Sequence, residues 1–339
     1  MAILINTQTQ QHCLLQSHHS FGRFKSSVNT FVSEAVISKV HAFIEWHGEY
    51  WLLRDVSSNG TWLNDKKLAG DKVAQLNVGD TIAFASKSGY SFEVQDLKPP
   101  CDCLIPVEHN SEAIELEYFH LLPSKKSHNR VLSYNNKTTS WWQEILDDNL
   151  SEATVSSELN DQECLDIDGL IWQLKINRTL DDTQLLRPSV TSLDQLTFLF
   201  QTSLDEESTH VVMQSGEQHI DLLTRSHHYL TLCLARQRAK DMQAGLDDSE
   251  QGWVYAELLA KDLGFDASHL NIQIYRMRKQ FVDALNNTCE SSNIIERNAG
   301  KLRLASKFFR ITKGDTVECD TRQFAQQEPS LEVKQYANH

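Results

Sequence analysis

The chain has 339 residues, of which 40% are hydrophobic and 9% aromatic, and this amount of apolar material suits two or three folded domains. No run of 18 apolar residues occurs, and the N-terminus MAILINTQTQQ lacks the regions of a secretion signal, so we expect a cytoplasmic protein with no membrane partner. The seven cysteines include no CxxC pair, which argues against a disulfide framework and a metal site. We find no catalytic motif, and therefore expect neither enzyme activity nor a cofactor.

The formal net charge of −14 is distributed unevenly along the chain. Between 99 and 223, 22 acidic side chains oppose 7 basic ones, whereas between 224 and 313, 14 basic side chains oppose 10 acidic ones. An anionic partner such as nucleic acid is therefore expected only at the second of these segments.

The first predicted domain lies over 18–98, where short apolar runs alternate with turn signals and no helical period appears. This pattern predicts an all-β sandwich, with Asn59-Gly60 as a tight hairpin turn and the prolines at 99 and 100 as its end. The predicted strands are FVSEAVISKVHAFIEW, EYWLLRDV, TWLN, DTIAFA and YSFEVQDL.

The middle of the chain predicts less regular structure. Residues 99–160 are rich in Asn, Ser, Glu and Asp and are interpreted as a partly ordered acidic linker, with SWWQEIL as a short helix. Strand-like alternation returns in GLIWQLKI, QLTFLFQT and THVVMQ, which we expect to form one antiparallel sheet.

The C-terminal part changes to a helical period. SHHYLTLCLARQRAKD, WVYAELLAKDLGF and DASHLNIQIYRMRKQFVDAL predict three helices, and IIERNAGKLRL predicts a hairpin. Helix, helix, helix and hairpin is the order of a winged helix. We therefore predict an α+β winged helix-turn-helix domain with a preceding β-sheet over 161–313, and an acidic tail over 314–339.

Four short motifs in the first domain resemble the forkhead-associated (FHA) family: GRF from Gly22, ISKVHA from Ile37, SSNGTWLN from Ser57 and LNVGD from Leu76. The resemblance covers about 18–98. It implies a β-sandwich whose loops bind phosphothreonine peptides at one end.

The residues in these motifs suit a phosphate ligand. A phosphate carries nearly two negative charges and three acceptor oxygens, so it is best matched by a guanidinium and short neutral donors. The resemblance implies phosphate contacts from Arg23, Ser38 and Lys39 and peptide contacts from Ser58, Asn59 and Asn64. His41 is expected to be a buried orienting residue, because no nucleophile or metal ligand accompanies it. The alternative is that these side chains only decorate solvated loop tips.

The third helix predicts a second binding surface. Leu270, Ile274, Met277, Phe281 and Leu285 fall on one apolar stripe, and the opposite face is polar and cationic, as a helix in a DNA major groove would be. The segments from Arg225 to Leu304 resemble the effector domain of OmpR/PhoB-type transcriptional regulators; the resemblance spans about 165–313 and implies an antiparallel sheet before the helices. The candidate DNA-binding residues are Ser268, Tyr275, Arg276, Arg278 and Lys279 on the helix, and Arg297, Lys301 and Arg303 on the hairpin.

Together these patterns predict a regulator that binds a phosphothreonine protein, such as a Ser/Thr kinase or its substrate, and double-stranded DNA. The alternative is a signalling adaptor whose winged helix binds protein. The acidic stretch 144–163 is either a soluble tether or a segment that lies across the third helix and competes with DNA.

Overall fold

The computed structural model describes residues 1–68, 73–107, 111–122, 130–146, 149–150, 155–177, 192–285 and 293–322. The chain forms two compact units. The first contains Met1–Leu116 and Asp161–Leu185, and the second contains Glu117–Asn160 and Leu186–His339. The chain therefore passes between the units three times, whereas the predicted domains were each one continuous segment.

The first unit begins with eleven strands. They are β1 (Ile3–Asn6), β2 (His12–Leu14), β3 (His18–Gly22), β4 (Thr30–Phe31), β5 (Ala42–Trp46), β6 (Trp51–Asp55), β7 (Thr61–Leu63), β8 (Lys66–Lys67), β9 (Val73–Gln75), β10 (Thr81–Phe84) and β11 (Ser91–Asp96). One sheet has the order β2-β1-β11-β10-β7-β8, and the other has the order β4-β3-β5-β6-β9.

These two sheets enclose an apolar core that includes Leu4, Phe21, Trp51 and Phe84. The all-β sandwich predicted for this region is confirmed. It begins earlier than predicted, because β1 supplies the buried Leu4 and pairs with β11. The long strand predicted from Phe31 to Trp46 is wrong: it is divided into β4 and β5 by a loop that carries Ser38 and Lys39.

Eight strands follow in the region where a linker and part of a sheet were predicted. They are β12 (Cys103–Pro106), β13 (Ile114–Glu115), β14 (Phe119–Leu121), β15 (Arg130–Asn135), β16 (Ser140–Ile145), β17 (Val155–Leu159), β18 (Cys164–Ile167) and β19 (Leu170–Lys175). The order β13-β12-β19-β18 forms a sheet in the first unit, and β14-β15-β16-β17 forms one in the second.

The linker prediction is therefore wrong for 99–160, and SWWQEIL is a strand rather than a helix. Trp141 is fully buried and packs edge-on against Tyr134 of β15, a cross-strand arrangement that favours β-structure for aromatic residues. The prediction for GLIWQLKI is also corrected: β19 pairs with β12 and β18, not with the strands that precede the helices.

The rest of the second unit combines strands and three helices. They are β20 (Thr197–Thr202), β21 (Thr209–Ser215), β22 (Gln218–Thr224), α1 (His227–Gln243), β23 (Val254–Tyr255), α2 (Ala256–Leu263), α3 (Ala267–Ala284), β24 (Ile295–Asn298), β25 (Lys301–Leu304), β26 (Phe309–Lys313) and β27 (Thr316–Asp320). The sheet order is β22-β21-β20-β26-β27, with β20 and β26 parallel, and β23-β25-β24 forms a smaller sheet.

Helix boundaries follow their local signals. Asp266 begins α3 by accepting a hydrogen bond from the His269 amide at 2.7 Å, and Gly264 ends α2 with a φ of 68°. Trp253 to Tyr255, predicted as helix, precede α2 instead, because β23 pairs with β25. The order of three helices and a hairpin agrees with the predicted segments, and its interpretation as a winged helix stays a prediction. Within the predicted acidic tail, 316–320 form β27, and 323–339 lie outside the described residues.

In the described part of the chain, no helix combines the length and apolar composition needed to cross a membrane.

Candidate functional site

Three loops meet at one end of the first sandwich. The amides of Arg23 and Phe24, just after β3, donate to the carbonyls of Ser38 and Lys39 at 3.0 and 3.2 Å. Gly22 allows this approach, because a Cβ atom there would lie 2.2 Å from the Lys39 carbonyl oxygen. The GRF motif therefore lies directly beside the loop between β4 and β5.

The loop between β6 and β7 joins the same cluster. The Ser58 amide donates to the Ser38 hydroxyl oxygen at 3.1 Å, and the Asn59 side-chain amide donates to the Val36 carbonyl at 2.7 Å. Because the Ser38 oxygen accepts this bond, its own hydroxyl hydrogen remains available to a ligand.

His41 is fully buried and connects the loop that carries Ser38 with the loop that carries Gly60. Its Nδ1 accepts a hydrogen bond from the Ser38 amide at 3.2 Å, so the neutral ring carries its hydrogen on Nε2, which donates to the Gly60 carbonyl at 3.1 Å. Burial lowers the pKa of His41 below its ordinary value. The neutral ring thus bonds to both loops. This arrangement agrees with the buried orienting role expected of His41.

The SSNGT loop has a conformation that requires Gly60. Its φ is 98°, and a Cβ atom at this position would lie 2.1 Å from Cε of Lys67. The Ser57 hydroxyl oxygen accepts a hydrogen bond from the Gly60 amide at 2.7 Å, and Asp55 accepts from the Ser57 amide at 3.0 Å. The hairpin prediction for Asn59-Gly60 is wrong, because this loop connects β6 and β7, which belong to different sheets.

The tight turn lies instead at Asn64-Asp65, between β7 and β8, where both residues have positive φ. The Asn64 side chain is occupied there: its amide nitrogen donates to Asp80 at 2.6 Å, and its oxygen accepts from the Thr81 amide at 2.9 Å. These bonds hold the turn against β10, and the peptide contact from Asn64 stays a prediction.

The loops present unpaired positive charge. Arg23 and Lys39 are exposed, and neither forms an ion pair within the described ranges of the chain. Ser58 and Asn59 are also exposed beside them. Two free cations next to short donors form a site that suits a phosphate. Among the residues that the structure describes, no group of His, Cys, Asp or Glu is arranged to hold a metal ion.

Comparison with known proteins identifies this domain. Residues 19–85 match the family model of the FHA domain. The N-terminal sandwich is therefore an FHA domain.

The similar proteins described next each match between 27% and 29% of this chain. A Caenorhabditis elegans protein described as "Germ layers disorganized gldi-3" is 38% identical over 109 residues, which cover 28% of this chain and 11% of that protein. The N-terminal FHA domain of Saccharomyces cerevisiae Rad53p in complex with a phosphothreonine peptide is 25% identical, covering 27% of this chain and 90% of that one with a TM-score of 0.25. An Arabidopsis thaliana FHA domain is 26% identical, covering 29% of this chain and 87% of that one with a TM-score of 0.26.

The second predicted site, on α3, differs from expectation. The apolar stripe from Leu270 to Leu285 is buried as predicted. On the opposite face Ser268 and Arg276 are exposed, whereas the ring of Tyr275 stacks on Phe119 of β14 with 5.5 Å between centroids and 18° between planes.

The other two cations of α3 already have partners. Arg278 is 3% exposed and donates to Glu144 of β16 at 2.7 Å and to the Ile295 carbonyl at 2.6 Å. Lys279 donates to Glu117 at 2.5 Å and pairs with Asp283 at 3.2 Å. The prediction of an open cationic face is therefore wrong for Arg278 and Lys279 in this arrangement.

The three predicted cationic residues of the β24–β25 hairpin also contact other protein groups. Arg297 donates to Asn271 at 2.6 Å, and burial lowers its pKa to about 10. Lys301 lies over the ring of Tyr255 at 4.7 Å, and Arg303 lies over Trp253 at 4.6 Å and pairs with Glu296. Glu117 and Glu144 were not predicted as site residues, although Glu144 begins the acidic stretch that was considered able to cover α3.

Proposed function

We propose that the FHA domain binds a phosphothreonine in a partner protein, with Arg23, Ser38 and Lys39 on the phosphate and Ser58 and Asn59 on the peptide. The observation that supports this is the His41 bridge, which holds the Ser38 and Gly60 loops together beside two unpaired cations. Such preorganised donors gain affinity because little ordering is needed on binding.

The test is a calorimetric titration of the full chain with a degenerate peptide pool that has a fixed central phosphothreonine. We expect binding to this pool and none to the phosphoserine or unphosphorylated pools. Equal affinity for the phosphorylated and plain pools would reject the proposal.

We further propose that the second unit binds double-stranded DNA through α3 and the β24–β25 hairpin, which would make the chain a non-enzymatic, phosphothreonine-dependent transcriptional regulator. The order α1, α2, α3 and hairpin and the exposed Arg276 support this. The contacts of Tyr275, Arg278 and Lys279 with protein favour the adaptor alternative instead.

A salt series of DNA titrations with the full chain separates the two. A DNA-binding protein loses affinity linearly on a log–log plot as salt rises, with a slope of about −0.9 for each phosphate contact. An adaptor shows no saturable DNA binding even at low salt.

A further inference from the structure

The sheet β14-β15-β16-β17 packs on the face of α3 opposite the main core. Besides the stacked rings of Tyr275 and Phe119, an apolar cluster joins this sheet to the helix. It consists of Phe119, Val131, Leu146 and Val282, with Tyr118, Leu121 and Tyr275 at its edge. The interface therefore contains side chains whose separation would expose apolar surface to water.

Two carboxylates of this sheet and the residues beside it form ion pairs with cations of α3. Glu144 accepts from Arg278 at 2.7 Å, and Glu117 accepts from Lys279 at 2.5 Å. The Arg278 pair is nearly buried, with side-chain exposures of 4% and 19%, so loss of either partner would leave a charge without compensation. Carboxylate and phosphate oxygens are alternative partners for the same guanidinium and ammonium groups.

We propose that the sheet β14–β17 is an autoinhibitory cover, which competes with DNA for the face of α3. This inference rests on the proposed DNA binding by the second unit. Tyr275, Arg278 and Lys279 cannot contact β14 and β16 and a DNA groove at the same time, so DNA binding requires the sheet to separate from the helix. Both ends of the segment continue into the first unit, at Leu116 and Asp161, which gives the FHA unit a covalent connection to the cover.

The first experiment compares two variants of the full chain with the same change in net charge. Glu117→Lys places a second cation beside Lys279, whereas Glu158→Lys changes an exposed residue of β17. Both are titrated with one fluorescent DNA duplex at low salt. We expect Glu117→Lys to bind several-fold more tightly than Glu158→Lys, because only the former weakens the cover.

The second experiment needs no variant. A carbodiimide joins an amine and a carboxylate that are in contact, so wild-type protein should yield a Lys279–Glu117 cross-linked peptide by mass spectrometry. Saturating duplex DNA should suppress this peptide and leave the cross-link between Lys98 and Asp96, which pair at 3.2 Å in the first unit, unchanged.

The outcomes separate the two proposals. If both variants bind DNA equally and DNA leaves the Lys279–Glu117 cross-link intact, the autoinhibitory cover is rejected while DNA binding stands. If neither wild type nor Glu117→Lys binds DNA at low salt, the proposed DNA function fails, and the inference fails with it.

Discussion

His41 lies beneath two of the three loops at this end of the FHA domain and contacts one at Ser38 and the other at Gly60 through its two ring nitrogens. His19, in the neighbouring strand β3, is buried in a similar way: its Nδ1 accepts from the Gln16 amide at 3.1 Å, and its Nε2 contacts the Thr30 hydroxyl at 2.8 Å. Burial lowers the pKa of His19 to about 3 and lowers that of His41. Both rings are therefore neutral in the folded domain at neutral pH.

The stability of the FHA domain should fall with acidification. Below a pH of about 6.5 the unfolded chain takes up protons on these histidines while the folded domain does not, so each lowers the free energy of unfolding by up to about 1.4 kcal/mol per pH unit. The contribution is fully present above pH 6.5 and decreases as the pH falls towards the folded values. Hydrogen exchange of the β5 amides measures the opening free energy. His19→Gln should show a shallower dependence than wild type, and equal slopes would contradict this assignment.

Arg23 should provide the largest single contribution to phosphate binding. Arg23→Ala removes a charge-assisted contact and should cost about 2–4 kcal/mol of binding free energy in a calorimetric titration with the phosphothreonine pool. Lys87→Ala is the matched control, because it removes one positive charge from the same sandwich, where Lys87 is exposed and pairs with Asp65. The assignment is wrong if the two variants lose affinity equally.

Gly60 offers a test of the loop conformation, with Gly48 as its control. Both residues have positive φ, of 98° and 77°, but a Cβ at Gly48 would contact nothing within 4 Å, whereas one at Gly60 would meet Lys67. Gly48→Ala should cost about 1 kcal/mol of stability from backbone strain alone. Gly60→Ala should cost more, mainly because its φ of 98° lies further from the left-handed region than that of Gly48, and should also weaken phosphopeptide binding.

A double variant isolates the steric part of this effect. Lys67→Ala in the Gly60→Ala background should change the stability measured by urea denaturation only slightly, because the exposed end of the Lys67 side chain can move away from a new Cβ. If the double variant is clearly more stable than Gly60→Ala, Lys67 does restrict this position.

At the level of elements, β16 illustrates how neighbours decide a conformation. Its sequence SWWQEI carries the apolar residues of a short helix as readily as those of a strand. Pairing with β15 on one side and β17 on the other gives it the extended form, and this places Glu144 against α3. The strand assignment therefore has a direct consequence for the cationic helix.

Adjacent tryptophans of β16 provide a matched pair for testing this sheet. Trp141→Ala removes a fully buried ring and should cost about 3–5 kcal/mol of the sheet's stability, whereas Trp142→Ala, on the half-buried face, should cost clearly less. Hydrogen exchange in β15–β17 is the measurement. Trp141→Ala should accelerate exchange in these strands, and an equal effect of both variants would contradict the observed facing of β16.

At the scale of the whole molecule, the acidic and basic segments are separate in the sequence but contact each other in the fold. The acidic segment between 99 and 223 contributes strands to both units and places Glu117 and Glu144 on the basic segment that follows it. The predicted boundary after 160 coincides with a change of unit, but the predicted domains were continuous stretches, whereas each unit here is assembled from two.

The sequence by itself determined the features that depend on local chemistry. The motifs around Arg23, Ser38 and Asn59 identified the FHA domain, and the spacing from Leu270 to Leu285 determined the buried face of α3, because short motifs and helical period are properties of neighbouring residues. Only the tertiary structure decided which loops meet through His41, how Asn64 is held against β10, and what covers α3. Lys279 and Glu117 are separated by 162 positions, and no local pattern specifies a contact between residues so far apart.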